Sequence, residues 1–226
     1  FDNTSRYWSH GWDAYNTVYQ DAVAWLRDGL MDELFPMMYF RDNNFFPFAL
    51  DWKEQSHGRI VVPGLGIYFM SPREKDWPLT DITRQLFFLR DIGMGHAYFR
   101  SKFFTDNTKG IYDFATNEYD TYPSLIPPMT WAKAASPQKP YDLTFTTQKD
   151  GAMRMTWQHQ VKDTTMMLFN IYSSISYPVD TKDARNLVAI RRQARSLLIP
   201  SEKGRHYAVT ATDRYALMQG EVTAAL

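Results

Sequence analysis

The sequence contains no cysteine, which excludes disulfide staples, thiolate catalysis and cysteine-ligated zinc, and removes redox chemistry as a guide to compartment. An excess of charge of either sign is lacking as well. Lysine plus arginine number 25 and aspartate plus glutamate number 25, so the electrostatic footprint of a nucleic-acid binder or a basic membrane-binding surface is missing. No apolar run reaches spanning length and no signal peptide is apparent, so no membrane span is expected. Pro63 to Gly66, PGLG, does not have the spacing of a phosphate-binding glycine loop, no lysine-containing P-loop occurs, and His10, His57, His159 and His206 fall at no metal-ligand spacing. No cofactor and no nucleic-acid partner is expected.

What is present is an aromatic-rich chain of 226 residues. Aromatic residues make up 16%, with seven Trp and fourteen Tyr, beside 44% hydrophobic and 22% charged residues. Ordinary globular proportions of this kind support a sizeable core, and the length favours one large or two smaller domains. Rings in such number suit either an aromatic-rich core or the walls of a groove. A chain that opens on Phe1 rather than Met reads as a processed product, an excised piece or part of something longer.

From Trp12 to Leu30 apolar residues recur at three- and four-residue steps, which predicts an amphipathic helix stopped near Gly29. Leu34 to Phe40 reads as a buried strand, Arg59 to Met70 as a second, Pro78 to Ile92 as a helix stopped by Gly93, and Gly95 to Phe99 as a third strand. Strands alternating with helices predict parallel βαβ units. Tyr122 to Pro140 holds five of the twelve prolines and reads as a docking segment followed by a linker, with a domain boundary near Ser136. Beyond it, short strands punctuated at Asp150–Gly151, Tyr177–Pro178 and Lys203–Gly204 predict an all-β sandwich of about 90 residues.

Residues 1–135 resemble the C-terminal part of the glycosyl-hydrolase-like (β/α)8 barrels of bacterial surface and polysaccharide-degrading proteins. The motifs that carry the resemblance are WDAYNTVYQDAVAWLRDGLMDELFPMMYF, GLGIYFM and GMGHAYFR. Residues 136–226 resemble a fibronectin type III-like module through Trp157, FNIY at 169–172 and HYAVTATDR at 206–214. The fold this implies is α/β plus all-β: about three βα units from the C-terminal part of a TIM barrel, followed by a β-sandwich. PMMYF, GIYFM and HAYF would be strands six, seven and eight. The earlier strands, with the family's usual acidic motif, are not in the sequence, so the resemblance implies a partner chain, copy or missing half that closes the barrel.

In such barrels the active face is built by the loops after strand C-termini. The polar stretch Arg41, Asp42, Asn43, Asn44 would then stand at the mouth of a cleft, with Tyr68, Met70, His96, Tyr98 and Arg100 at the neighbouring strand ends. Asp42 is the candidate catalytic carboxylate, since glycoside hydrolysis commonly uses two carboxylates; the simpler reading has it capping the next segment or bonding Arg41. Tyr39, Trp52 and Tyr68, with Phe45 and Phe46, form a candidate platform for sugar rings, core packing being the default for each. His96 is placed to bond a sugar hydroxyl or donate a proton, or to serve as a satisfied structural histidine. Arg100 would clamp a carboxylate or an acidic sugar, or pair with Asp42 or Asp91. Asn43 and Asn44 would contact substrate.

The function implied is part of a glycoside hydrolase acting on a polysaccharide, its acid and base carboxylates mostly outside this sequence, in a secreted, periplasmic or cell-surface setting. The alternative is a non-catalytic carbohydrate-binding or surface-interaction protein, and a third reading is a structural spacer.

Overall fold

A computed structural model describes residues 14–132, 134–161 and 167–225. The chain divides into two compact units, 1–121 and 122–226.

In the first unit, the long amphipathic helix expected over 12–30 is two short ones, α1 (Ala14–Val18) and α2 (Ala22–Arg27), with Trp12 and Asp13 outside the described residues. The break has a local cause. Tyr19 takes a left-handed backbone conformation (φ 57°) and the Asp21 carboxylate accepts the Ala24 N–H at 2.9 Å, starting a new helix where the sequence pattern continued the old one. The end of α2 matches the expectation: Gly29 has φ 73°, its N–H donates to Leu26 O, and Leu30 N donates to Trp25 O.

The predicted strands are mostly short fragments. Leu34 to Phe40 contributes only the end of β1 (Glu33–Leu34) and a single bridge at Met37; Arg59 to Met70 splits into β2 (Ile60–Val61), β3 (Gly64–Leu65) and a 3-10 turn, 67–70; Gly95 to Phe99 yields β4 (Ala97–Tyr98). Pro36 and Pro63 explain the fragmentation, since proline has no N–H to give a ladder. What remains is parallel: β1 with β2, Met37 with Gly64, and β3 with β4. Helix α3 (Phe46–Glu54) follows the first fragment and α4 (Leu79–Asp91) the second. On α4, Ile82, Leu86 and Leu89 are fully buried at the three- and four-residue steps read from the sequence. Gly93 (φ 69°) ends it, with Met94 N bonded to Leu89 O and Gly93 N to Arg90 O. Phe45, Leu65, Ile67, Met70 and Ile111 complete this core, with α5 (Ser101–Thr105) and α6 (Ile111–Phe114) closing the unit.

The second unit holds all the long strands: β5 (Tyr141–Thr147), β6 (Met153–Gln158), β7 (Leu168–Ser174), β8 (Leu187–Arg192), β9 (Ser196–Ile199), β10 (His206–Thr212) and β11 (Met218–Ala225). They form a three-stranded sheet, β5-β6-β9, and a four-stranded sheet, β11-β10-β7-β8, with antiparallel neighbours throughout. Alternation fills the space between the sheets: Met155 and Trp157 from one meet Phe169, Ile171, Tyr207, Val209 and Ala211 from the other. The intervening residues Tyr172 and Ala208 join Leu187, Val179 and Leu125 in a smaller cluster. The proline-rich stretch is thereby attached to the sandwich, and Met129 N also bonds Tyr215 O at 2.9 Å.

The fold class expected from the resemblance, a TIM-barrel part of about three βα units followed by a fibronectin type III-like module, is overturned. Parallel pairing among the described residues is confined to two-residue strands and one bridge, while the regular sheets are small and antiparallel, so the architecture is β-sandwich-like. The chain that was to complete the barrel loses its basis with the barrel itself.

Candidate functional site

Where the first unit's extended segments end, aromatic side chains gather. The Tyr39 ring stacks on Phe99 at 5.2 Å between centroids and meets Tyr68 edge-on at 5.8 Å; Tyr68 meets Phe99 edge-on at 5.7 Å. The strip continues through Phe69, 4.0 Å from Tyr68, to Trp77, 4.8 Å from Phe69. The backbone sets the gathering: Phe99 N donates to Leu65 O and Tyr68 N to Phe99 O, locking the end of β4 against the turn after β3. Gly66 lets Tyr39 lie against that turn, because a Cβ there would sit 2.9 Å from the Tyr39 Cβ. Phe99 is 46% exposed, and Tyr39 and Tyr68 are half-buried. Burial pushes both phenol pKa values up, with Tyr68 adding to the effect on Tyr39 and Glu74 to that on Tyr68.

Cations border the strip. The Arg41 guanidinium lies 5.3 Å over Trp77 and bonds Asp81 Oδ2 at 2.7 Å. Lys75 Nζ lies 4.0 Å over Phe69, and Arg100 lies 5.6 Å over Phe103, itself 6.5 Å from Tyr68. Asp42 begins a 3-10 turn, Asp42–Asn44, with φ 50° and its carboxylate 3.5 Å from Arg84 Nη1. Its backbone oxygen accepts the Phe45 N–H, and Asn43 and Asn44 are exposed in the same turn. Trp52 lies on α3 and packs against the core of the unit.

His96 stands in another cluster. Alternation along the chain turns Phe99 one way and His96 and Tyr98 the other. The His96 ring lies 4.9 Å from Tyr98 and 5.5 Å from Tyr119, and Nε2 is 3.5 Å from Asp120 Oδ2. Arg90 covers the Tyr119 ring at 3.6 Å and donates to Tyr119 O at 2.6 Å. Burial lowers the His96 pKa; Asp120 opposes this and Arg90 reinforces it. The Tyr98 hydroxyl is buried without a hydrogen-bond partner, and burial raises its pKa strongly.

Tyr39, Arg41, Tyr68 and Arg100 are therefore brought together along one strip, Asp42, Asn43 and Asn44 follow Arg41 directly in the chain, and Trp52 and His96 lie elsewhere in the unit. Phe99, Phe69, Trp77, Tyr119 and Asp120 were not foreseen. For Phe99 a signal existed, because period-two alternation through HAYF places it opposite Tyr98. Among the described residues no group of three or more His, Asp or Glu is placed to hold a metal ion, and no helix is long and apolar enough to cross a membrane.

No family model matches the chain. A curated protein of Bacillus subtilis (strain 168) named glycosyl hydrolase YngK is 26% identical over 218 residues, covering 88% of this chain and 42% of its own length. The chain thus spans less than half of that relative. A solved structure of carbohydrate-binding and catalytic domains of Clostridium perfringens ZmpB matches with 14% identity and a TM-score of 0.28, over 66% of this chain and 14% of that one; a score so low defines no shared fold. The chain is similar to a glycosyl hydrolase.

Proposed function

We propose that this chain is part of a glycoside hydrolase acting on a polysaccharide, and that the aromatic strip of its first unit holds the glycan. The observation that carries the reading is the meeting of Tyr39, Tyr68 and Phe99, all partly exposed, at the ends of separate extended segments. Sugar rings present apolar C–H faces that stack on such rings, while hydroxyls need polar partners at the rim. Arg41, Asn43, Asn44 and Arg100 supply those partners. The similarity to a glycosyl hydrolase supports the same substrate class, and a polysaccharide substrate puts the protein outside the cytoplasm, secreted, periplasmic or at the cell surface.

Hydrolysis by two carboxylates requires an acid and a base or nucleophile flanking the scissile bond. Asp42 is the candidate here. Of the other carboxylates near the strip, Asp81 is bound to Arg41 and Asp76 to Lys109, and in this proposal the rest of the acid–base machinery comes mostly from residues outside this chain. A second reading, glycan binding without hydrolysis, is favoured by the pairing of both acids with arginines, Asp42 with Arg84 and Asp81 with Arg41.

The test is affinity electrophoresis of the chain through gels containing neutral polysaccharides, combined with a reducing-end assay on the same polymers. Retardation by at least one polymer, lost in Tyr68→Ala, is the expected result. With the longer protein that supplies the remaining carboxylates, new reducing ends that vanish in Asp42→Asn support hydrolysis, and retardation without them selects the binding reading. Equal mobility with and without every polymer would sink both.

A further inference from the structure

The second unit carries a site of different chemistry. At one end of the four-stranded sheet a cavity of about 700 Å³ is lined by Leu168, Ile190, Arg191, Arg192 and Arg214, together with Gln193 and Ala194. Its size falls in the range of ligand pockets, roughly 300–1,000 Å³. A smaller recess of about 60 Å³ shares Leu168, Arg191 and Arg214 with it and adds apolar groups from Ile126, Met129 and Tyr215. One groove therefore has a cationic half and an apolar half.

The arginines are presented by built features. Strand β8 is an edge strand, and between its pairings Phe169 with Arg192 and Ile171 with Ala189 it carries one residue more than β7. Such a bulge turns side chains away from the ladder. Arg191 sits in the bulge at φ 50°, a conformation that costs a non-glycine residue energy, and its N–H is held at 3.0 Å by Oδ1 of Asn170, which is 1% exposed. Arg214 is steadied over the Tyr215 ring at 4.8 Å.

The donors and acceptors around the groove determine what fits it. The Asp213 carboxylate accepts the N–H groups of Tyr215 and Leu217 at 2.9 and 3.0 Å, Thr212 Oγ1 donates to Leu168 O, and Asn170 Oδ1 is used by Arg191. Among the described residues, Arg191, Arg192 and Arg214 form no ion pair, whereas Arg185 and Arg205 in the same unit are paired with Asp183 and Glu202. Three guanidinium groups without an ion pair outnumber the one carboxylate, Asp213, whose Oδ1 holds two backbone N–H groups, so the groove favours a ligand that brings acceptors and negative charge. Carboxylates match the fork in two-pronged fashion.

We propose that this groove is a second saccharide subsite, specific for a glycan bearing carboxylates, such as a run of uronic acid residues. The anionic class follows from the arginines; the choice of a saccharide as its carrier rests on the glycan reading of the first unit. The apolar half, with Tyr215 and Met129, would take the C–H faces of the same sugars.

Calorimetry of the full chain tests this with three probes of matched length: oligogalacturonate, a neutral cello-oligosaccharide and oligoglutamate. Oligogalacturonate is expected to bind most tightly, more weakly at high salt, and about tenfold or more weakly to Arg191→Gln/Arg214→Gln. The corresponding double lysine variant should recover part of the loss. Arg185→Gln, whose arginine is paired with Asp183 and does not line the groove, should leave oligogalacturonate binding unchanged, and retardation by neutral polymers that persists in Arg191→Gln/Arg214→Gln separates failure of this site from failure of the first. Single variants Arg192→Gln and Arg214→Gln, at exposed positions, provide the same comparison if the double variant does not fold by circular dichroism. Equal affinity for the neutral probe, or an unaltered affinity in the glutamine variants, overturns the site. Equal affinity for oligoglutamate overturns its assignment to a saccharide.

Discussion

Arg41 Nη1 donates to Asp81 Oδ2 across 2.7 Å, while the same guanidinium lies 5.3 Å over the Trp77 ring. This one contact explains much of why a charged and amide-rich stretch interrupts two apolar segments. The arginine ties the end of the first extended segment to the first turn of α4, where a carboxylate also offsets the helix dipole.

Both partners of that pair are partly shielded, Arg41 42% and Asp81 17% exposed at the side chain, so their coupling should lie near the upper end for surface pairs, about 0.5–1 kcal/mol. A double-mutant cycle of Arg41→Ala and Asp81→Ala, read by urea unfolding, measures it. Additive losses would show that the pair contributes no coupling of its own, and a coupling that persists undiminished at high salt would place it deeper than the exposures indicate.

Gly66 tests the aromatic strip through the backbone. An added Cβ would lie 2.9 Å from the Tyr39 Cβ and 3.3 Å from its Cα, and neither atom can swing aside as a side-chain tip would. Gly66→Ala should displace Tyr39, cost about 1–3 kcal/mol of stability and weaken glycan retardation as Tyr68→Ala does. A variant with unchanged stability and unchanged binding would mean that Tyr39 is not held where the glycan contacts it.

His96 gives a pH dependence with a definite sign. Burial lowers its pKa in the folded protein below the unfolded value of about 6.5. Between those two values the unfolded chain binds more protons, so stability is fully present above about pH 6.5 and falls as the pH drops toward the folded pKa. The loss in unfolding midpoint between pH 7.5 and pH 5.5 should be smaller in His96→Gln than in the unaltered chain. Identical pH profiles would indicate that Asp120, 3.5 Å away, cancels the effect of burial.

The parts of the fold that sequence made legible are those set by short-range rules. The buried face of α4, the glycine stops at Gly29 and Gly93 and the turn at Asp150–Gly151 all follow from local spacing and backbone preference. The expected strands failed where a proline changed the pairing: Leu34 to Phe40 looks like one apolar strand, yet Pro36 leaves only fragments of a ladder. The resemblance to barrel proteins rested on motifs whose apolar texture suits a helix-lined core as well as a closed sheet. The same limit applies to the site. Tyr39, Tyr68, Arg41 and Arg100 were found because they follow apolar runs, whereas the meeting of Phe99 with Tyr39 and Tyr68, and of Trp77 with Arg41, joins segments distant in sequence, and local alternation tells which way Phe99 turns but not what it meets.

The bulge at Arg191 makes stability and binding pull in opposite directions. A left-handed conformation costs a side-chain-bearing residue about 1–2 kcal/mol, while glycine adopts it freely but loses about 0.5–1 kcal/mol through the entropy of the unfolded chain. Arg191→Gly should therefore stabilise the second unit by about 0.5–1 kcal/mol, provided Asn170 Oδ1 keeps its bond to the residue's N–H. The same change deletes one of three arginines that line the cavity, so affinity for oligogalacturonate should fall while thermal stability rises. Such a split marks a residue retained for its guanidinium at a cost to the fold. A loss of both would make the side chain part of the sandwich's own packing, and a gain in stability with undiminished affinity would assign the anion to Arg192 and Arg214 alone.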